Sequence, residues 1–246
     1  IKAMPASSKP NAMEPPSSLP TLAATLAVAA ILVGCASVPS GPAIEAPRLA
    51  VGDHWQYRIT DYLRRGAVSQ LDAEVVAVSG SSARVRFTTA DAYGGREEWV
   101  DDFDGGALRA GSLWRESPRQ FNPPVELLAF PLQDGKTWQQ TVPTFRRDTE
   151  LPAQILVYGQ ADGRRTANVP AGAFDAIYVY RVLRLDDEEF WRTRTTRRDA
   201  VWYAPEVKAP VREAREAEYT EHSGPDMATV TTESTVAELV SFRPGR

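Results

Sequence analysis

Cysteine and histidine are scarce in this chain, whose 246 residues contain one cysteine, Cys35, and two histidines, His54 and His222. A lone cysteine cannot form an intrachain disulfide, so the fold must be held by packing alone. Metal sites in proteins usually draw on clusters of cysteine, histidine and carboxylate ligands. The two histidines are far apart in the sequence, and solvated strand-end positions explain them more simply than metal ligation. We therefore predict no metal site and no cofactor.

Catalytic signatures are also missing. The chain has no Gly-x-Ser-x-Gly elbow and no Gly-x-x-x-x-Gly-Lys phosphate loop. We predict a protein that is not an enzyme and assign no catalytic residue. The alternative is an envelope hydrolase that uses carboxylates such as Glu97, Glu98, Asp101 and Asp102 as acid and base. Adjacent acids on a strand point to opposite faces, so only alternate ones could cooperate.

The chain also lacks an excess of positive charge. It contains 28 basic and 32 acidic residues, and removal of residues 1–34 leaves 26 and 31, a net charge of −5. Nucleic-acid binding requires a basic face, so we predict no nucleic-acid partner. An acidic domain is not attracted to anionic membranes either, and any membrane attachment must come from another source.

No apolar run is long enough to cross a membrane. The longest extends from Leu22 to Gly34, interrupted only by Thr25. A spanning helix needs about 20 apolar residues, whereas a run of this length is typical of the core of a secretory signal peptide. The sequence therefore predicts export rather than membrane spanning.

The end of this run, Leu32-Val33-Gly34-Cys35, resembles the lipobox of bacterial lipoproteins. The resemblance implies that a diacylglyceryl group is attached to the Cys35 sulfur, that the preceding peptide bond is cut, and that the new amino group is acylated. Two or three acyl chains hold a protein stably, whereas one chain binds only marginally. The alternative is a free cysteine buried as a small apolar residue.

Two further features of the leader concern its start and its destination. Translation from Met4 keeps the basic Lys9 ahead of the apolar run, whereas translation from Met13 leaves no basic residue there, so Met4 is preferred. In bacterial lipoproteins an aspartate after the cysteine favours retention in the inner membrane. Residue 36 is alanine, so the resemblance implies the periplasmic side of the outer membrane.

The remaining chain divides by composition into four parts. After a signal peptide at 1–34, residues 35–48 are rich in Pro, Ser, Gly and Ala and predict a flexible tether. A first β-meander is predicted at 49–116 and a second at 134–246. Between them, residues 117–133 contain four prolines and predict a connection with one helical turn at 125–129, because proline cannot donate to a ladder.

Alternation of apolar and polar residues dominates both predicted meanders. Residues 51–60, for example, place Trp55, Tyr57 and Ile59 on one face, the pattern of a half-buried strand. Further strands are predicted at 70–79, 83–89, 97–103, 107–114, 135–138, 151–160, 173–185, 189–203, 211–220 and 228–241, separated by glycine-containing turns. The sequence therefore predicts a mainly β fold with little helix, built as a curved antiparallel sheet or half-barrel.

The two halves also look alike. Gly52-Asp53-His54-Trp55 corresponds to Gly135-Lys136-Thr137-Trp138, which indicates an internal repeat of two similar meanders, although shared alternation alone could produce the match. The second half is similar to uncharacterised bacterial periplasmic and lipoprotein β domains, through Phe130-Pro131-Leu132, residues 135–138, 169–174, 202–207 and 238–242. That resemblance implies a curved antiparallel sheet and carries no activity.

Two charged segments are more simply interpreted as surface hairpins than as binding sites. Residues 101–105, Asp-Asp-Phe-Asp-Gly, resemble the start of a calcium loop but lack its remaining ligands, which favours a hairpin turn. The acidic run 186–189 and the basic run 192–198 favour a solvated hairpin whose arms attract each other.

The sequence predicts a lipid-anchored envelope protein that acts as a non-catalytic binding or structural module. Its expected partners are the membrane, through Cys35, and a hydrophobic ligand or an envelope protein. Tryptophans could line a concave ligand-binding face, although they are more often core residues: Trp55, Trp99, Trp138, Trp191 and Trp202.

Overall fold

The computed structural model describes residues 39–90, 95–113, 117–146, 149–186, 191–224 and 227–246. The signal peptide and Cys35, the predicted site of lipid attachment, lie outside the described residues. Within these ranges no helix is long and apolar enough to cross a membrane.

The described chain is almost entirely β-strand, as predicted from its alternation. One 3₁₀ turn, Pro205–Val207, is the helical element within the described ranges. The fourteen strands are β1 Ser40–Ile44, β2 His54–Asp61, β3 Ala67–Ser79, β4 Ser82–Ala90, β5 Arg96–Asp104, β6 Ala107–Gly111, β7 Arg119–Glu126, β8 Leu132–Asp134, β9 Thr137–Phe145, β10 Pro152–Val169, β11 Gly172–Leu185, β12 Arg192–Ala204, β13 Ala209–Gly224 and β14 Met227–Arg243.

Twelve strands form one antiparallel sheet, in the order β7-β6-β5-β4-β3-β2-β14-β13-β12-β11-β10-β9. It consists of two six-stranded meanders, β2–β7 and β9–β14. They are joined where β2, the first strand of one, pairs with β14, the last strand of the other. The prediction of a curved antiparallel sheet built from two similar meanders is confirmed.

The sheet curls until its two edge strands, β7 and β9, lie side by side and nearly close it into a barrel. This differs from the prediction that residues 117–133 only connect the meanders. Pro123 and Pro124 fit on β7 because an edge strand does not need every backbone donor.

The two ends of the nearly closed sheet differ, and we name them by what they carry. The terminal end carries the start of β2 and the end of β14, together with the tight turn at Gly80 and Ser81. The loop end carries the connections β2–β3, β4–β5, β6–β7, β9–β10, β11–β12 and β13–β14.

The terminal end is closed by packed side chains. Residues 161–163, predicted as a turn, instead form a bulge within β10 at which the long β10–β11 hairpin bends. Its tip contacts β14, where the Ala171 amide donates to the Leu239 carbonyl at 3.0 Å. Ala167, Ala176 and Leu239 belong to one buried apolar cluster there.

The predicted tether differs from the structure in part. Residues 40–44 form β1, which pairs with the short strand β8 in a separate two-stranded sheet. Ile44 is 6% exposed and packs with Leu132 and Trp138 in a second apolar cluster. The folded domain therefore begins at Ser40, nine residues before the predicted start at 49, because Ile44 near the end of β1 takes up a buried position.

Candidate functional site

A cluster of five charged side chains lies on the inner face of the sheet, on three adjacent strands. Arg181 comes from β11, Arg197 and Asp199 from β12, and Glu213 and Arg215 from β13. We call this set the inner charge cluster. Its members are in phase with buried apolar residues of the same strands, so alternation directs them inward.

Asp199 is the centre of the inner charge cluster and is fully buried. Its carboxylate accepts hydrogen bonds from Arg181 Nε at 2.6 Å and from Arg197 Nε and Nη2, each at 2.8 Å. Glu213 Oε1 accepts from Arg215 Nη2 at 2.8 Å and from Arg181 Nη2 at 3.2 Å. Both carboxylates are therefore held by guanidinium donors, the strong charge-assisted form of hydrogen bond.

The arginines decide the ionisation of these acids. Burial alone would raise the pKa of Asp199, but the charges of Arg197, Arg181 and Arg215 outweigh burial and hold that pKa below its usual range. Burial would likewise raise the pKa of Glu213, and the charges of Arg181 and Arg215 lower it. Both groups are ionised at neutral pH, so neither can donate a proton as a general acid there.

The inner charge cluster also ties the two meanders together across the interior. Arg181 Nη1 donates to the Leu127 carbonyl at 3.2 Å, and Arg197 Nη1 donates to the Leu113 carbonyl. Both carbonyls lie in segments that flank β7, in the other half of the sheet. The geometry therefore supports a structural role for the cluster, because each arginine satisfies buried backbone oxygen as well as carboxylate.

The carboxylates of the hydrolase alternative are split between the two faces of β5, as strand geometry requires. Asp101 is buried on the inner face at 6% exposure, whereas Glu97 and Glu98 are exposed. On the outer face, Asp102 Oδ1 and Oδ2 accept from Arg84 Nε and Nη2 at 2.7 and 3.0 Å. The hydrogen bonds from Arg84 lower the pKa of Asp102, which makes it a poor general acid.

The five described tryptophans make packing contacts. Trp55 and Trp138 are buried, and their indole N–H groups donate to the carbonyls of Val207 and Glu126 at 2.7 and 3.1 Å. The other three are partly exposed: Trp99 stacks on Phe87, Trp202 meets Tyr178 edge to face, and Trp191 meets Tyr219 in the same way. Trp202 and Trp55 face opposite sides of the sheet, so the set does not line one common face.

The two histidines are at opposite ends of the sheet. His54 begins β2 at the terminal end, with Nε2 at 3.3 Å from Asp72 Oδ1. His222 is near the end of β13 at the loop end, with Nε2 at 3.0 Å from Thr193 Oγ1. They cannot share a metal ion, and the described residues contain no group of three or more His, Cys, Asp or Glu side chains placed to hold one.

A second buried charge pair, not anticipated from the sequence, closes the terminal end. Asp53 is fully buried and accepts from Lys208 Nζ at 2.9 Å and from the amides of Ala50 and Gly245, each at 2.8 Å. It joins the entry to β2, the 3₁₀ turn and the residues after β14. Burial would raise the pKa of Asp53, but the hydrogen bond from Lys208 helps to lower it.

Two grooves are found on the surface of the sheet. One, of about 280 Å³, lies beside the β3–β4 turn and is bordered by Val78, Arg84, Asp102 and Arg109. The other, of about 400 Å³, lies along β2 and β3 and is bordered by Gln56, Arg58, Val68 and Gln70. Each mixes charged or polar side chains with apolar ones, and neither is lined by the predicted tryptophan set.

The fold is similar to three solved structures at low sequence identity. They are a presumed lipoprotein from Parabacteroides distasonis (13% identity, TM-score 0.42), a presumed exported protein with a YmcC-like fold from Bacteroides fragilis (16%, 0.41) and the hypothetical lipoprotein YmcC from Escherichia coli (9%, 0.36). The first two matches cover 82% of this chain and all of the other, and the third covers 78% and 85%. No protein-family model and no curated protein sequence matches this chain.

The inner charge cluster was not predicted, although the sequence holds a signal for it. The basic run was predicted to be a solvated hairpin arm, but Arg197 and Asp199 are in phase with Val201 and Tyr203, which the alternation places in the core. A charged residue at a strand position that alternation places in the core indicates a buried ion pair, since burying an unpaired charge costs too much free energy.

Proposed function

We propose that this chain is a lipid-anchored protein of the cell envelope, attached to the membrane through Cys35. The observation that carries the proposal is the order of three features: an uncharged apolar run, the segment Leu32-Val33-Gly34-Cys35, and a folded domain that begins at Ser40. The run suits export, the small Gly34 gives a peptidase access to the backbone, and the thiol supplies the nucleophile for lipid transfer.

The folded domain acts in this proposal as a non-catalytic binding or structural module. Two features of the described residues support that role: the acids of the inner charge cluster are locked by arginines, and the interior is filled by apolar clusters. Besides the membrane, the sequence predicts either a hydrophobic ligand or an envelope protein as partner. An envelope protein is the better fit, because an interior filled by side chains leaves little room for a ligand. Apolar side chains exposed at the loop end, such as Leu63 at 56% and Met227 at 65%, add to that support.

The periplasmic side of the outer membrane is the location that we propose for the domain. The support is Ala36 after the cysteine, where the lipoprotein resemblance associates aspartate with retention in the inner membrane.

The anchor is tested by intact-mass spectrometry of the protein purified from membranes of a bacterial host with the lipoprotein pathway. We expect a chain that begins at Cys35 and carries a diacylglyceryl group and a further acyl chain. Cys35→Ala should remove the added mass and release the protein from the membrane fraction. Ser37→Ala, two residues away, is the matched control and should keep both. An unmodified chain that begins upstream of Cys35 would overturn the proposal.

A further inference from the structure

The N-terminal strand fixes one end of the domain to the point where the chain enters it. Ser40 pairs with Asp134 and Ile44 with Leu132. The Gln133 side-chain amide donates to the Gly41 carbonyl at 2.7 Å, and Ile44 is 6% exposed. The segment then runs along the terminal end of the sheet, where Ala46 lies against Gly105 in the β5–β6 turn. Ser40 is therefore held at the terminal end.

The chain between this strand and the anchor is short. Four residues, 36–39, separate Cys35 from Ser40. Because a fully extended chain spans at most about 3.6 Å per residue, the Cα atom of Cys35 lies within about 18 Å of the Cα atom of Ser40.

The loop end is farther from Ser40 than this tether can span. β13 and β14 have 16 and 17 residues. At about 3.4 Å per residue and a tilt of about 40°, these two strands place the β13–β14 connection roughly 40 Å from the terminal end. The exposed side chain of Met227 lies at that distant tip. Tyr62 and Leu63 follow the eight-residue β2 and are level with Ser234 in the middle of β14, so they lie closer to the terminal end.

We propose that the terminal end of the sheet faces the lipid headgroups and that the loop end projects away from the membrane. This inference rests on the proposed anchor at Cys35. Exposed side chains of both signs, such as Glu45, Asp104, Arg48 and Arg243, lie at the terminal end. They give that end no single charge to bind lipid, so the short tether sets the orientation.

Energy transfer to labelled lipid tests this orientation directly. Since lipidation consumes Cys35, which is the only cysteine in the chain, an introduced cysteine is the only free thiol. Asp104→Cys places it in an exposed position at the terminal end, and Met227→Cys places it in an exposed position at the β13–β14 tip of the loop end. Each full-length, lipidated variant carries a thiol-reactive donor and is reconstituted into phosphatidylethanolamine–phosphatidylglycerol vesicles that contain a headgroup-labelled acceptor.

Transfer should be several-fold stronger from position 104 than from position 227. Equal transfer, as in a domain lying on its side, or stronger transfer from position 227 would overturn the orientation. A ten-residue Gly-Ser insertion after Ala36 should weaken transfer from position 104, and an unchanged value would show that the tether does not set the distance.

Intact mass and vesicle flotation of the same preparations separate the two proposals. An acylated protein that floats with the vesicles and transfers equally from both sites rejects the orientation and keeps the anchor. A chain without acyl groups rejects the anchor and the orientation together.

Discussion

At the scale of single residues, a glycine and a tryptophan on neighbouring strands fill one position between them. Gly159 of β10 pairs with Trp138 of β9, and the indole covers the glycine so closely that a Cβ atom there would be 2.1 Å from two ring carbons. The same indole donates to Glu126 on β7. Trp138 therefore packs over one neighbouring strand and hydrogen-bonds the other, which requires the absence of a side chain at 159.

Gly159→Ala is expected to destabilise the fold by about 1–3 kcal/mol, because the added methyl group displaces the indole from a packed position. Urea unfolding followed by tryptophan fluorescence measures the change. Gly224→Ala is the matched control, since open space surrounds its Cβ position and its backbone is not left-handed. Equal losses in the two variants would show that the indole contact is not the cause.

Loss of the buried acid at the centre of the inner charge cluster should be more costly. We expect Asp199→Asn to reduce the free energy of unfolding by about 3–5 kcal/mol, because Arg181 and Arg197 lose their buried counter-charge. Asp102→Asn, which removes the charge of a partly exposed carboxylate paired with Arg84, should cause a much smaller loss. Denaturant titration at pH 7 gives both values, and similar losses would contradict the structural role of the cluster.

The same acids predict how stability depends on pH. Asp199 and Glu213 have lower pKa values in the folded protein than the usual range, so the unfolded chain binds more protons as the pH falls toward about 4. Their contribution is present above about pH 5 and is lost progressively below it. Unfolding free energies measured from pH 7 to pH 3 should decline in this window for the wild type and decline less for Asp199→Asn. A parallel decline in the two proteins would contradict the assignment.

At the scale of elements, the seam between β7 and β9 is the place where the sheet closes without a backbone ladder. Neither strand pairs with the other through its main chain in the described structure. Side-chain hydrogen bonds join the two strands instead. Gln140 Oε1 accepts from the Glu126 amide at 2.9 Å, and Gln140 Nε2 donates to the Pro124 carbonyl at 2.8 Å. Proline cannot supply an amide donor, so one glutamine side chain replaces part of the missing ladder.

Gln140→Ala should therefore weaken the seam by about 1–3 kcal/mol, since two hydrogen bonds are lost and backbone groups lose their partners. Hydrogen exchange of the β9 amides, read by mass spectrometry, should increase together with the loss in stability. Gln139→Ala, on the exposed side of the same strand, provides the control and should leave both unchanged. If β9 exchanges no faster in Gln140→Ala, the seam is held by other contacts.

At the scale of the whole molecule, the two meanders occupy equivalent places in the sheet. Trp55 and Trp138 are each the second residue of the first strand of a meander, as the Gly-x-x-Trp match indicated. Each indole donates across to the other half, Trp55 to Val207 and Trp138 to Glu126. The indole N–H of each meander therefore finds its hydrogen-bond acceptor in the other meander, so each half depends on the other to pair this buried donor.

The proposed location at the outer membrane can be tested by a substitution that lies outside the folded domain. If the protein is sorted as bacterial lipoproteins are, Ala36→Asp should move it from the outer to the inner membrane fraction of a diderm host. Density-gradient separation of the two membranes measures the shift, and Ala36→Ser is the matched control. An unchanged distribution would show that the residue after Cys35 does not determine where this protein is held.

The sequence by itself determined the local features of this protein. Alternation with a period of two predicts antiparallel strands, since neighbouring side chains on a strand face opposite sides. Short glycine turns, such as the one between β3 and β4, predict which strands are hairpin neighbours. Both signals lie within a few residues of each other along the chain, so they can be read without knowing the fold.

Only the tertiary structure decided how the sheet closes and what it encloses. The β2–β14 pairing, the seam at Gln140 and the contact of Arg181 with the Leu127 carbonyl join residues far apart in sequence. Alternation states which face a side chain occupies and is silent about which distant strand it meets there. Arg197 and Asp199 are the clearest case: their phase points inward, but their partners exist only once the two meanders have come together.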